Sequence, residues 1–114
     1  MIAGFTVDSS GVQHGFIERG GRFTAVNDPH AGTASGQGTS VGSINDAGVV
    51  VGNYFDASGV VHGFTERRGV FTPVEDPAGP GGTNAGGISN RGVIVGFYFD
   101  SSGSIHGFEL SPAR

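Results

Sequence analysis

The chain contains no cysteine, no lysine and no tryptophan in its 114 residues. Without cysteine there are no disulfides and no thiolate metal ligands, and the redox compartment stays open. Charged residues are only 14% of the chain, and the net charge is -4 with arginine as the sole basic side chain besides histidine. No basic stripe is available to meet phosphates, which argues against nucleic acid as a partner. No apolar run approaches the roughly 18 residues that a membrane span needs. The opening segment, MIAGFTVD, lacks a basic region followed by an apolar stretch, so no signal peptide is expected. The motifs of common catalytic sites are missing too: no G-x-S-x-G, no phosphate-binding lysine loop, no H-E-x-x-H. The glycine-rich segment GPGGTNAGG has no strand-then-helix context around it, so it does not read as a nucleotide site. The length allows one domain with a small core.

Glycine is what the chain has in excess, with 23 glycines and 5 prolines. Such a composition alone suggests disorder. Here the glycines recur at fixed places. Residues 8–16 read DSSGVQHGF, 56–64 read DASGVVHGF and 100–108 read DSSGSIHGF. Phe16 and Phe64 are 48 residues apart, and Phe64 and Phe108 are 44 apart. A self-similarity at that period marks a repeat architecture, in which each repeat is one supersecondary unit.

The middle repeat is complete and defines the others. Strands are expected over 39–45, 49–56, 60–66 and 70–74, from their β-branched and aromatic content between turn residues. Pro73 cannot donate to a ladder, so the last of these is an edge strand. Asp56 with Gly59 fits a type I turn closed by a glycine bulge. A three-residue turn there pairs Tyr54 with His62 and Gly52 with Phe64. The same register sets Gly4 against Phe16 and Gly96 against Phe108, so that each phenyl ring lies over bare glycine backbone. The first copy supplies three strands (2–8, 12–18, 22–26) and the third supplies three (83–89, 93–100, 104–110). The expected class is all-β: tandem antiparallel meanders of 3, 4 and 3 strands in a single repeat domain, 1–114, divided at 1–38, 39–82 and 83–114. Val49, Val51 and Phe55 face one way and Val50 and Tyr54 the other, so each sheet is covered on both faces. Sheets stacked propeller-fashion satisfy this; a β-prism of three sheets about a pseudo-threefold is the alternative.

At this point the pattern SINDAGVVVGNYFDASGVVHGFTERRGVFTPVEDP, followed by GISNRGVIVGFYFDSSGSIHGF, resembles the HAF family of bacterial extracellular repeats. The resemblance covers nearly the whole chain. It implies a propeller-like β repeat on secreted or cell-surface proteins, and it supplies no catalytic residue.

Three histidines at equivalent positions, His14, His62 and His106, suggest a metal site. Equivalent positions on the third strand of separate sheets do not converge, however, so these histidines read as packing and hydrogen-bonding residues set against Tyr54, Tyr98 and, in the first copy, Thr6. Asp8, Asp56 and Asp100 read as turn formers, with weak Ca²⁺ binding as their second use. In a meander the loops carrying Asp8, Asp28, His30, Asp56, Asp76 and Asp100 emerge at one end, which is acidic. Arg19, Arg22, Arg67, Arg68 and Arg91 fall at the other, among Glu18, Asp46 and Glu66. The six residues of the acidic end are the expected ligand-binding set. They point to a non-catalytic module for extracellular polysaccharide or surface glycan; the alternative is a hydrolase or lyase on carbohydrate that uses a metal or paired carboxylates. Incomplete end sheets further suggest a homo-oligomer, a dimer above all, with Phe5 or Phe97 on the faces left open.

Overall fold

The computed structural model describes residues 2–112, so Met1, Ala113 and Arg114, at the outer limits of the first and third repeats, lie outside the described residues. Ten strands make three antiparallel meanders, and the sheets do not close into a barrel. The first is β1 (Ile2–Val7), β2 (Gln13–Arg19) and β3 (Arg22–Val26). The second is β4 (Gly38–Ile44), β5 (Val50–Phe55), β6 (Val61–Arg67) and β7 (Val70–Val74). The third is β8 (Thr83–Ile88), β9 (Ile94–Phe99) and β10 (Ile105–Leu110). These agree with the expected strands to within a residue or two, and β7, with Pro73, is an edge strand.

Turn chemistry sets the register. In each β-hairpin that carries the repeated motif, the aspartate carbonyl accepts from the amide of the glycine three residues on, and Gly11, Gly59 and Gly103 have φ of 83°, 80° and 83°. That is the left-handed geometry of a glycine bulge. The pairs that follow are Gly4 with Phe16, Gly52 with Phe64 and Gly96 with Phe108. A Cβ on Gly52 would sit 2.9 Å from the Phe64 ring, so the ring occupies the space a side chain would need. Tyr54 pairs with His62 and Tyr98 with His106, as the register requires.

The middle sheet is buried on both faces. One face gives Val50 and Phe64 to a cluster with Val26 and Val41, against which Ala3, Ile17, Tyr54 and Phe71 pack. The other gives Val51 and Val74 to a cluster with Ala85 and Ile94, flanked by Ile88 and Phe108. Full burial of Val50, Val51 and Phe64 contributes about 1.5–3 kcal/mol for each side chain. The first and middle sheets touch edgewise through one parallel bridge, Gln13 with Gly38. Gly38 has φ 111°, and a Cβ there would lie 2.1 Å from the Gln13 carbonyl oxygen, so only glycine fits. Gly82 holds the matching place beside Val61, where the loop from the middle sheet enters the third.

Polar groups join the middle and last sheets as well. The buried Asn53 amide donates to the Ala85 carbonyl at 3.0 Å and accepts from the Ala85 N–H at 2.6 Å. Asn45 donates to the Ser89 carbonyl at 3.1 Å, and Asn90 bonds Asp46. The outer faces of the end sheets are open. Alternation puts Phe5 on the same side as Ala3, where it is still 49% exposed, and puts Phe97 on the outer face with Val95, half-buried beside Phe99. Exposed with them are Ile2 and Phe23 on the outer face at one end of the stack and Val95 and Ile105 on the outer face at the other.

Candidate functional site

Each repeat builds the same clip at its hairpin. Asp56 Oδ1 accepts from the Ser58 and Val60 amides at 2.8 and 3.0 Å, while its Oδ2 accepts from His62 Nε2 at 2.7 Å. Asp8 holds Ser10, Val12 and His14 in the same way, and Asp100 holds Ser102, Ser104 and His106. The histidine hydrogen bond and the turn amides hold all three carboxyls below the usual carboxylate range. Both oxygens of each carboxylate are therefore engaged within its own hairpin. Among the described residues no group of three His, Asp or Glu side chains is placed to hold a metal ion.

The middle clip differs from the other two. His62 Nδ1 also bonds Glu75 Oε1, from the segment just after β7. A ring flanked by two carboxylates donates from both nitrogens, which requires the doubly protonated imidazolium. Partial burial opposes that charge, but the hydrogen bonds and charges of Glu75 and Asp56 together outweigh it, and the ring titrates above an ordinary histidine. Tyr54 stacks on it with ring centroids 4.9 Å apart and planes at 22°. Burial, with the charges of Asp28, Glu75 and Asp56 added, pushes the Tyr54 phenol up.

Tyr54, His62 and Glu75 share a cleft of about 220 Å³ with Asp28 and His30, above Phe71 and Pro73. Asp28 and His30 come from the loop between β3 and β4, so the first sheet supplies one wall and the middle sheet the floor. The Asp28 side chain is only 4% exposed and accepts from the His30 amide at 2.8 Å, whereas the His30 side chain is 77% exposed. Asp28 is thus an anchor, and its Oδ1, 3.1 Å from His30 Nδ1, also ties the exposed His30 ring at the rim.

The six expected ligand residues do not form one site. Asp28 and His30 line this cleft, and Asp56 reaches it only through His62. Asp76 lines a neighbouring cleft of about 280 Å³ with His62, Glu75 and Pro80. Asp8 and Asp100 hold the hairpins of the two other sheets. Tyr54, His62 and Glu75, which the sequence reading kept out of the ligand set, make the floor and the charge of the cleft. The cross-strand pairing of Tyr54 with His62 was the signal for two of them; nothing in the pattern marked Glu75.

No family model, curated protein or solved structure matches the chain.

Proposed function

We propose that the chain is a non-catalytic binding module for a neutral or weakly polar saccharide of extracellular polysaccharide or cell-surface glycan, and that its sheets are stacked as successive blades of a propeller. The observation that carries the binding reading is the Tyr54–His62 stack, floored by apolar residues and ringed by Asp28, His30 and Glu75. A sugar ring presents C–H groups that pack on aromatic planes and hydroxyl pairs that donate to carboxylates. The cleft offers both kinds of contact. Extracellular or surface placement follows from the likeness to HAF repeats. The propeller reading is supported by the order of packing: the first sheet packs on the middle one and the middle one on the last. A prism would set the first and last sheets against each other.

The carbohydrate hydrolase or lyase alternative gains less support. Both His62 ring nitrogens are bonded to carboxylates and the ring titrates above an ordinary histidine, and the Tyr54 phenol is pushed up, so neither is poised as a base. Asp8, Asp56 and Asp100 have their oxygens taken by hairpin amides and histidines, which leaves little for Ca²⁺.

The test is titration of the purified protein with a panel of neutral and acidic oligosaccharides, read by amide NMR shifts. Shifts confined to Tyr54, His62, Glu75 and His30, weakened about tenfold or more by Glu75→Gln, are expected. A folded protein that binds none of the panel, or one that carries stoichiometric metal and cleaves a glycan, would overturn the reading.

A further inference from the structure

A larger cleft, of about 530 Å³, opens at the opposite end of the molecule, between the first and middle sheets. Its floor is Ile17, Val26 and Val50, and its walls carry Arg19, Arg67 and Arg68. Arg19 and Arg67 occupy the same place in consecutive repeats, one position after Glu18 and Glu66. They reach the cleft from its two sides. Arg19 extends across to the turn between β4 and β5, where its guanidinium would lie 3.5 Å from a Cβ placed on Gly48.

These guanidiniums have no carboxylate of their own. Among the described residues every ion pair within 4.0 Å involves histidine. Of the nearby acids, Glu66 lines the cleft itself, and each has one oxygen engaged away from the arginines. Glu18 Oε1 accepts from the Gly21 amide at 2.6 Å, and Glu66 Oε1 accepts from the Gly69 amide at 2.8 Å. Asp46 turns away to Asn90 of the last sheet at 2.9 Å.

Two comparisons inside the molecule show that this is not a general feature of the repeat. The matching cleft between the middle and last sheets, about 400 Å³, is lined by Val49, Thr65, Ile88, Ile94, Leu110 and Ser111 among others, and holds no arginine. Leu110 and Ser111 stand there in place of Glu66 and Arg67. Arg68, in turn, is the only non-glycine with positive φ among the described residues, at 53°, where the first repeat has Gly20 at 56°. A left-handed conformation is strained for a side-chain-bearing residue. The chain thus holds an arginine in a turn position that glycine fills without strain, at the mouth of a cleft that already contains two.

We propose that this cleft binds a ligand carrying oxyanion groups, a carboxylate, sulfate or phosphate, through Arg19, Arg67 and Arg68. The guanidinium fork donates two parallel hydrogen bonds to such a group, which a lysine cannot do. Arginines from two sheets above an apolar floor suit a compact polyanion better than a single ion.

Calorimetric titration of the intact chain with citrate, inorganic sulfate, pyrophosphate and trigalacturonate tests this and sorts carboxylate from sulfate and phosphate chemistry. At least one probe is expected to bind saturably at low salt, weaken as salt rises, and weaken about tenfold in Arg19→Gln. Arg68→Gly separates binding from folding: it relieves the left-handed backbone, so the protein should be as stable or more so while affinity falls several-fold. Arg91→Gln, outside the cleft, should bind as the parent does. Failure of all four probes to bind, or equal binding by the parent, Arg19→Gln and Arg68→Gly, would overturn the proposal. The saccharide cleft lies at the other end, and Glu75→Gln, which acts there, should leave binding of these probes unchanged.

Discussion

Asn53 and Ala85 are joined by a reciprocal pair of hydrogen bonds across the gap between the middle and last sheets. A side-chain amide here imitates a strand neighbour, since it offers one donor and one acceptor to the backbone of β8. Ala85 lies where β8 departs from regular register, between Ala85 and Gly87. Asn53 is 7% exposed and Ala85 fully buried, so water cannot replace either bond.

Replacing Asn53 with alanine should therefore cost more than the removal of a surface amide. Two bonds of about 1 kcal/mol each are lost, and a buried N–H and C=O are left unpaired at about 1–3 kcal/mol. A destabilisation of about 3–5 kcal/mol is expected in urea unfolding, with the slope unchanged. Asn53→Leu should cost at least as much, because its apolar volume leaves the same Ala85 groups unpaired. A loss below 0.5 kcal/mol in both variants would show that the two sheets are held by apolar packing alone.

The parts of this structure that were legible beforehand are those governed by local turn chemistry. Asp56 and Gly59 fixed the hairpin, the hairpin fixed Gly52 opposite Phe64 and Tyr54 opposite His62, and the alternation of Val50 and Val51 announced two buried faces. What stayed hidden depends on contacts between repeats. Asn53 has Phe5 and Phe97 at the equivalent positions, so no repeated signal marks it as a tie. Asp56 was read as a turn former and candidate ligand and His62 as a packing and hydrogen-bonding residue, but the hydrogen bond between them was not foreseen, because it spans the hairpin diagonally. Glu75 shows its role only once β7 is seen to end beside β6. Arg19 and Arg67 were placed at one end by topology, yet only the stacking of two sheets turns them toward a common cleft.

The His62 clip makes stability depend on pH with a definite sign. A histidine whose folded value is raised favours the folded state fully below its ordinary value of 6.5, and that contribution is lost as pH rises through the raised value. The depressed carboxyls of Asp8, Asp56 and Asp100 act oppositely: their contribution is present above the ordinary value of 3.8 and is lost as pH falls through the lowered ones. Stability should therefore be highest between these two limits and decline as pH rises through the raised His62 value. NMR titration of the His62 ring in the parent should give a midpoint above that of a free histidine, and Glu75→Gln should bring it down. In His62→Gln the decline on the alkaline side should disappear while the acid limb remains. A His62 midpoint at or below the ordinary value would sink the clip as described.

The last expectation concerns what covers the two open faces, and it rests on the propeller-like reading. The middle sheet meets the first through the face that carries Val50, Tyr54, His62, Phe64 and Phe71. The same face of the first sheet carries Ile2, Thr6, His14, Phe16 and Phe23, and it points outward. The middle sheet meets the last through the face of Val51, Asn53 and Phe55, and the matching face of the last sheet, with Val95, Phe97, Phe99 and Ile105, also points outward. The end faces are thus the two halves of a contact that the chain already makes twice within itself, and a second copy of the chain is the occupant that fits both. Seated head to tail, two copies would form a ring of six sheets, whereas a rotation that fails to close would give filaments. Light scattering should then report about twice the 11.5 kDa of one chain, independent of concentration once the ring has closed. Phe23→Glu and Ile105→Arg should each shift it toward the monomer, and mixing the two variants should restore at most one of the two contacts. A parent protein that stays at the mass of one chain across a wide dilution range would rule the ring out.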